Sequence, residues 1–362
     1  MYTNISKAIT APFLAGALFI SLNATAQTIP APAADLPKDW HLLDLQTDGF
    51  YGISLKPAYQ LIKGKRSNRV TVATIDSGID TAQKDLRSVL WTNAKEIAGN
   101  GKDDDKNGYI DDVHGWNFLG GPGGKANYTE TSEEVREYNR LKPKYSILTE
   151  KTAGDKKEYA YWLKVKTLYD TTVNTARTET EQLVPILNVL MTTSGYIKRE
   201  LKLPAQASFT MKDIDNLQPV NDTLMHSKQV WESIFQQVGG NADNASLIKD
   251  WSESLAKYNN DLNPDLASRK RIVGDDPDIW DTKPYGNALL KFPDAMHGTG
   301  VAGLIGAVRN NGYGVDGVAD NVRIMAIKTV PNGDEYDKDV AKAIRYAVDN
   351  GARIVNMSFG KN

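Results

Sequence analysis

The chain has 362 residues, 41% of them hydrophobic and 24% charged, as in an ordinary soluble globular protein of one large or two smaller domains. Its net charge is -2 with no basic block, which argues against nucleic-acid binding. There is no cysteine, so disulfides, thiolate metal sites and a cysteine nucleophile are excluded together.

Lys7 precedes an apolar run from Ala8 to about Leu22, followed by Ala24-Thr25-Ala26. This is the pattern of a signal peptide over residues 1–26, with Gln27 as the mature N-terminus. The run is shorter than the roughly 20 residues a spanning helix needs, and it contains Pro12 and Gly16. No later stretch is apolar enough to span. The expectation is an exported protein, periplasmic or extracellular, with no membrane span after cleavage. Residues 27–39 are rich in Pro and Ala and read as a linker.

The next signal is helical. Leu55, Ala58, Tyr59 and Ile62 recur at helical spacing over residues 53–63, with Ser54 as the expected cap. Residues 70–75 are rich in β-branched side chains and predict a central strand buried on both faces. It ends in Asp76, and Gly78 permits a tight turn away. In residues 100–112, oxygen-bearing side chains alternate before Gly108. The order Asp103, Asp105, Asn107, Gly108 and Ile110 follows the first part of an EF-hand loop, although His114 stands where the closing glutamate belongs. Asp103, Asp105, Asn107, Asp111 and Asp112 are the expected oxygen ligands of a structural Ca2+, the alternative being a solvated acidic turn.

Residues 125–262 read as a helical insertion. Amphipathic stretches cover 133–145, 156–174, 179–201, 222–237 and 245–258, and Thr131 with Glu134 resembles a capping box. His226, inside the insertion, is read as an ordinary helix residue. Beyond Pro264 the strand and turn pattern returns. Met296-His297-Gly298-Thr299-Gly300-Val301-Ala302-Gly303 puts His297 at the mouth of a small-residue helix running to about Arg309. A strand over 322–330, a helix over 337–350 and a strand over 354–357 follow with short links. Strand, helix, strand in this form predicts an α/β fold with a parallel sheet.

Residues 298–303 also match the dinucleotide fingerprint G-x-G-x-x-G. That fingerprint needs an apolar strand just before it. Residues 291–296 contain Pro293 and Asp294 instead, so the nucleotide reading fails. A histidine base needs an acid on one ring nitrogen and a nucleophile facing the other. Asp76, fixed at the end of a buried strand, is the candidate acid for His297.

Four stretches resemble the subtilisin-like serine proteases, or subtilases. Tyr51-Gly52-Ile53-Ser54 resembles the lead-in to the first catalytic strand, and Thr74-Ile75-Asp76-Ser77-Gly78-Ile79-Asp80 the aspartate motif. Residues 297–303 resemble the histidine motif. Ile354-Val355-Asn356-Met357-Ser358-Phe359-Gly360 resembles the strand lining the primary specificity pocket. The resemblance spans about residues 40–120 and 265–362. It implies a parallel-sheet subtilisin-like fold, present here in part, in two pieces at 40–124 and 263–362. It also implies a serine-type endopeptidase acting on polypeptides. Asp76 would orient, His297 would act as general base, Ser358, Phe359 and Gly360 would meet substrate, and the loop near Gly333 would offer an antiparallel edge.

Three features depart from the family pattern. Gly300 stands where a second histidine is usual, and the insertion lengthens the spacing between Asp76 and His297. The nucleophilic serine and oxyanion asparagine of the family are expected beyond Gly360, and no serine in the chain sits in that context. The chain is therefore expected to be a fragment of an endopeptidase, inactive as it stands. The alternative is a non-catalytic peptide-binding pseudoprotease.

Overall fold

The structure is a computed structural model and describes residues 36–239, 242–292 and 295–360. The expected signal peptide and most of the expected linker lie outside the described residues. Two short helices, α1 (Leu45–Asp48) and α2 (Leu55–Ile62), precede strand β1 (Val70–Asp76). Ser54 stands before α2 in the left-handed region, φ 56°, and its side chain caps nothing there. The other strands are β2 (Gly115–Asn117), β3 (Val322–Lys328) and β4 (Ile354–Met357).

The sheet order is β2-β3-β1-β4, and every pairing is parallel. β1 lies inside the sheet, paired with β3 from Val70↔Val322 to Asp76↔Lys328 and with β4 from Val72↔Ile354 to Ile75↔Met357. Alternate residues feed two cores. Val72, Ile324 and Ala326 pack with Ala302 of helix α9 (Met296–Gly306). Ala73, Ile75, Met325 and Ile327 pack with Ala343, Tyr346 and Ala347 of helix α10 (Asp337–Asp349). Helices on both faces leave no solvated side, so β1 shows no alternation of polar residues. β4 is an edge strand among the described residues, with Ile354 54% and Met357 45% exposed.

Between β2 and α9 the chain is largely helical. It runs through α3 (Glu133–Tyr145), α4 (Lys156–Glu200), α5 (Met211–Asp215), α6 (Asp222–Val238), α7 (Asn244–Leu262) and α8 (Ser268–Ile272). These helices have cores of their own. One gathers Leu190, Ile197, Phe209, Trp231 and Phe235, and another gathers Leu141, Tyr145, Tyr159 and Trp162.

The sequence pattern predicts two helices where α4 is one of 45 residues, about 68 Å long. The misread stretch is rich in threonine, a weak helix former. In the helix, threonine hydroxyls bond back to the preceding turn. Thr171 bonds to the Thr167 carbonyl at 3.0 Å and Thr178 to that of Asn174 at 3.1 Å. Ala176, at the expected break, is buried. The expected capping box at Thr131 also gives way. Ser132 precedes α3, and Asp261 at the end of α7 accepts its N–H at 2.6 Å and its hydroxyl at 2.8 Å. Glu134 accepts the hydroxyl of Thr172 on α4 instead.

Candidate active site

The parallel strands place the ends of β1, β3 and β4 on one side of the sheet, where α/β folds bind ligands. Asp76 closes β1 and is 1% exposed. Its Oδ1 accepts from the Ser77 N–H at 2.7 Å and pairs with His297 Nδ1 at 2.7 Å. Its Oδ2 is buried with no partner among the described residues. With Nδ1 held as the donor to a carboxylate, Nε2 is left as the basic nitrogen of the ring. The His297 side chain is 60% exposed, so a reactant can reach it.

Glycine makes this approach possible. A Cβ at Gly298 would lie 2.2 Å from the Gly78 carbonyl oxygen and 3.1 Å from Asp76 Oδ1. The Gly298 N–H instead meets Ser77 Oγ at 3.3 Å. The turn after Asp76 is pinned from several sides. The Asp80 N–H donates to Thr299 Oγ1 at 2.9 Å, and the Thr329 N–H to the Asp76 carbonyl at 3.1 Å. Lys328 is fully buried, and its Nζ donates to the carbonyls of Ser77 at 2.7 Å and Val330 at 3.1 Å. Gly300 faces open space, so the missing second histidine leaves no hole in the core.

Ser358, Phe359 and Gly360 continue from β4 on the same side as Asp76. Ser358 and Gly360 are exposed, the Ser358 hydroxyl donating to Asn356 Oδ1 at 3.0 Å, while Phe359 packs in part against the α10 core. The edge near Gly333 is paired within the chain on one side. Its neighbour Asn332 is paired with Tyr128 and Glu130 in a parallel bridge, so one side of this edge is already taken by the chain.

The acidic loop gathers differently from its sequence pattern. Oxygens of Glu96, Asp103 and Asp105 lie within 4.8 Å of one another. Three carboxylates at that spacing fit a hard cation such as calcium, whose oxygen ligands sit at about 2.3–2.6 Å. Asn107 lies beside them, its N–H donating to Asp103 at 3.0 Å and Asp105 at 3.1 Å. Asp111 and Asp112, expected as ligands, are not part of that group of three and carry other hydrogen bonds. Asp111 accepts the N–H groups of Gly99, Asn100 and Gly101 at 2.8, 3.1 and 2.9 Å. Asp112 is fully buried and accepts from Asn93 at 2.8 Å, Asn107 at 3.0 Å and the Tyr346 hydroxyl at 2.7 Å. Burial raises its pKa against the lowering effect of those bonds. Glu96 escaped the sequence reading because it stands upstream of the acidic run and folds back onto it.

A family model described as the subtilase family matches residues 67–362, most of the chain. The chain belongs to the subtilase family. The resemblance read from the motifs, and the parallel α/β fold it implied, are thereby established. This subtilase is 46% identical over 65 residues to the thermophilic serine proteinase of Bacillus sp. (strain AK1), covering 18% of this chain and 16% of the relative. It is 37% identical over 100 residues to thermitase of Thermoactinomyces vulgaris, covering 27% and 32%. It is 44% identical over 68 residues to the minor extracellular protease Epr of Bacillus subtilis (strain 168), covering 18% and 10%. Each match thus covers under a third of the relative's own length.

Proposed function

We propose that this subtilase supplies the acid and base of a serine endopeptidase, a hydrolase of polypeptide substrates. The supporting observation is the 2.7 Å bond between a buried Asp76 and an exposed His297. In the complete enzyme a serine hydroxyl attacks the scissile carbonyl while His297 Nε2 takes its proton. The tetrahedral intermediate collapses, and the same nitrogen returns that proton to the leaving amine. Asp76 holds the ring and stabilises the imidazolium between the two steps. Among the described residues no serine hydroxyl bonds to His297.

Residues 40–124 and 263–362 form the catalytic parts in this reading, with 125–262 inserted between them. Ser358, Phe359 and Gly360 line the substrate side, with Gly333 opposite. A calcium ion, held by Glu96, Asp103 and Asp105 with Asn107 adjacent, neutralises the acidic loop and stiffens it. Asp111 and Asp112 support that loop from within. The site has a structural role and lies outside the bond-breaking steps. The protein is exported through residues 1–26. Two relatives carry the names minor extracellular protease and cell wall-associated protease, consistent with that destination. Among the described residues no helix is long and apolar enough to cross a membrane.

The test is a fluorophosphonate probe applied to the protein purified from its natural source. Wild type should be labelled and should cleave casein, and His297→Ala should do neither. A folded wild-type protein that resists labelling would overturn the assignment.

A further inference from the structure

The segment between β3 and α10 is where the inserted helices meet the sheet. Asn332 donates its N–H to the Tyr128 carbonyl at 2.8 Å and accepts the Glu130 N–H at 2.9 Å. Its side-chain amide donates to the Glu253 carbonyl of α7 at 2.7 Å. Asp334 Oδ2 accepts the N–H of Glu133, the first residue of α3, at 2.8 Å. Arg136, one turn further along α3, reaches two successive carbonyls. Its Nη1 donates to Asp334 at 3.0 Å and its Nη2 to Glu335 at 3.1 Å. The same guanidinium bonds the Thr131 carbonyl and lies 4.1 Å from the centroid of the Tyr336 ring.

Gly333 sits inside this run. Among the described residues neither its N–H nor its carbonyl has a partner. Its φ is +124°, and a Cβ there would lie 2.0 Å from the Glu130 carbonyl oxygen. Only glycine fits that backbone and that approach.

We propose that Arg136 is a positioning residue for peptide binding, through which the inserted helices hold residues 332–335 as the edge that pairs with a substrate at Gly333. This inference rests on the peptidase reading of the cleft. A loop must be ordered before an extended peptide can add to it, and a pre-ordered edge spares that entropy at the moment of binding. A planar guanidinium fork supplies the order. It makes charge-assisted bonds to neighbouring carbonyls and stacks on an aromatic ring, a combination lysine lacks. With Asn332, Asp334 and Glu335 engaged by the insertion, the groups left to a substrate strand are those of Gly333. The holder is itself fixed, because Ser132 and Asp261 tie the two ends of the insertion together.

The experiment follows backbone amide signals of Gly333 and Gly360 by NMR while this chain is titrated with N-acetyl-Ala-Ala-Ala-Phe-amide. In wild type both glycines should shift. Arg136→Gln should weaken binding about tenfold, the loss of one good interaction, and should abolish the Gly333 shift while Gly360 still responds. Arg136→Lys keeps the charge and should restore only part of the response, and it serves if the glutamine variant does not fold. Wild-type affinity and an unchanged Gly333 shift in a folded variant would overturn the role of Arg136. If neither glycine shifts in wild type, the peptide-cleft reading itself falls, and this inference with it.

Discussion

His297 Nδ1 and Asp76 Oδ1 stand 2.7 Å apart although 221 positions separate them in the chain. The bond fixes which ring nitrogen carries the proton. Asp76→Asn removes the anionic acceptor and favours the wrong tautomer. If the proposed peptidase reading holds, this should lower kcat by about 10⁴, as it does in a triad of known mechanism, with little change in KM. Steady-state kinetics on a peptide anilide would read it. A loss under about tenfold, a fraction of the effect of such a change, would mean that Asp76 does not orient the base.

Gly298 lets α9 approach β1. Alanine there would place its Cβ 2.2 Å from the Gly78 backbone oxygen, a contact that side-chain rotation does not relieve. Gly298→Ala should therefore cost about 1–3 kcal/mol, the usual penalty for overpacking. Urea unfolding monitored by far-UV circular dichroism measures it. Gly300→Ala, facing open space, is the matched control and should be close to neutral.

The proposed calcium site predicts different effects for two acids of one loop. Glu96→Gln removes a charge from the three-carboxylate cluster and should weaken calcium about tenfold or more, since affinity follows the charge of the ligand set. Asp112→Asn should leave the affinity within a few-fold, because the Asp112 oxygens are directed to Asn93, Asn107 and Tyr346. Isothermal titration on the chain stripped with EDTA distinguishes them. Equal losses in both variants would place Asp112 among the ligands.

The same buried carboxyl makes stability depend on pH. Burial raises Asp112 above its ordinary 3.8, so the folded chain keeps this proton to higher pH than the unfolded chain does. Between the two values the native state holds more protons, and stability falls as pH rises. Below the unfolded value both states are protonated and the contribution is complete. Relative to Asp112→Asn, wild type should lose stability as pH climbs from 3.8 toward its folded value, and then level off. Denaturant midpoints collected through that range would show the slope. A difference that grows with pH would reverse the assignment of cause.

Local chemistry wrote much of the scaffold into the sequence. The β-branched run of β1 called for burial on both faces, and α9 and α10 supplied it. The acid at a strand end and the histidine at a helix mouth were legible as a candidate acid–base pair, and the fold brings the two into contact. The continuity of α4 was not legible, because threonine-rich segments are poor helices alone and packing decides them. The sequence pattern also grouped Asp103, Asp105, Asp111 and Asp112 as equals. Only the folded loop brought in Glu96 and turned Asp111 and Asp112 onto amide, backbone and tyrosine donors. The contact of Arg136 with residues 334 and 335 lay equally out of reach. Sequence periodicity records which side of an element is buried. The partner across a long separation depends on how the whole chain closes, and that belongs to the tertiary structure.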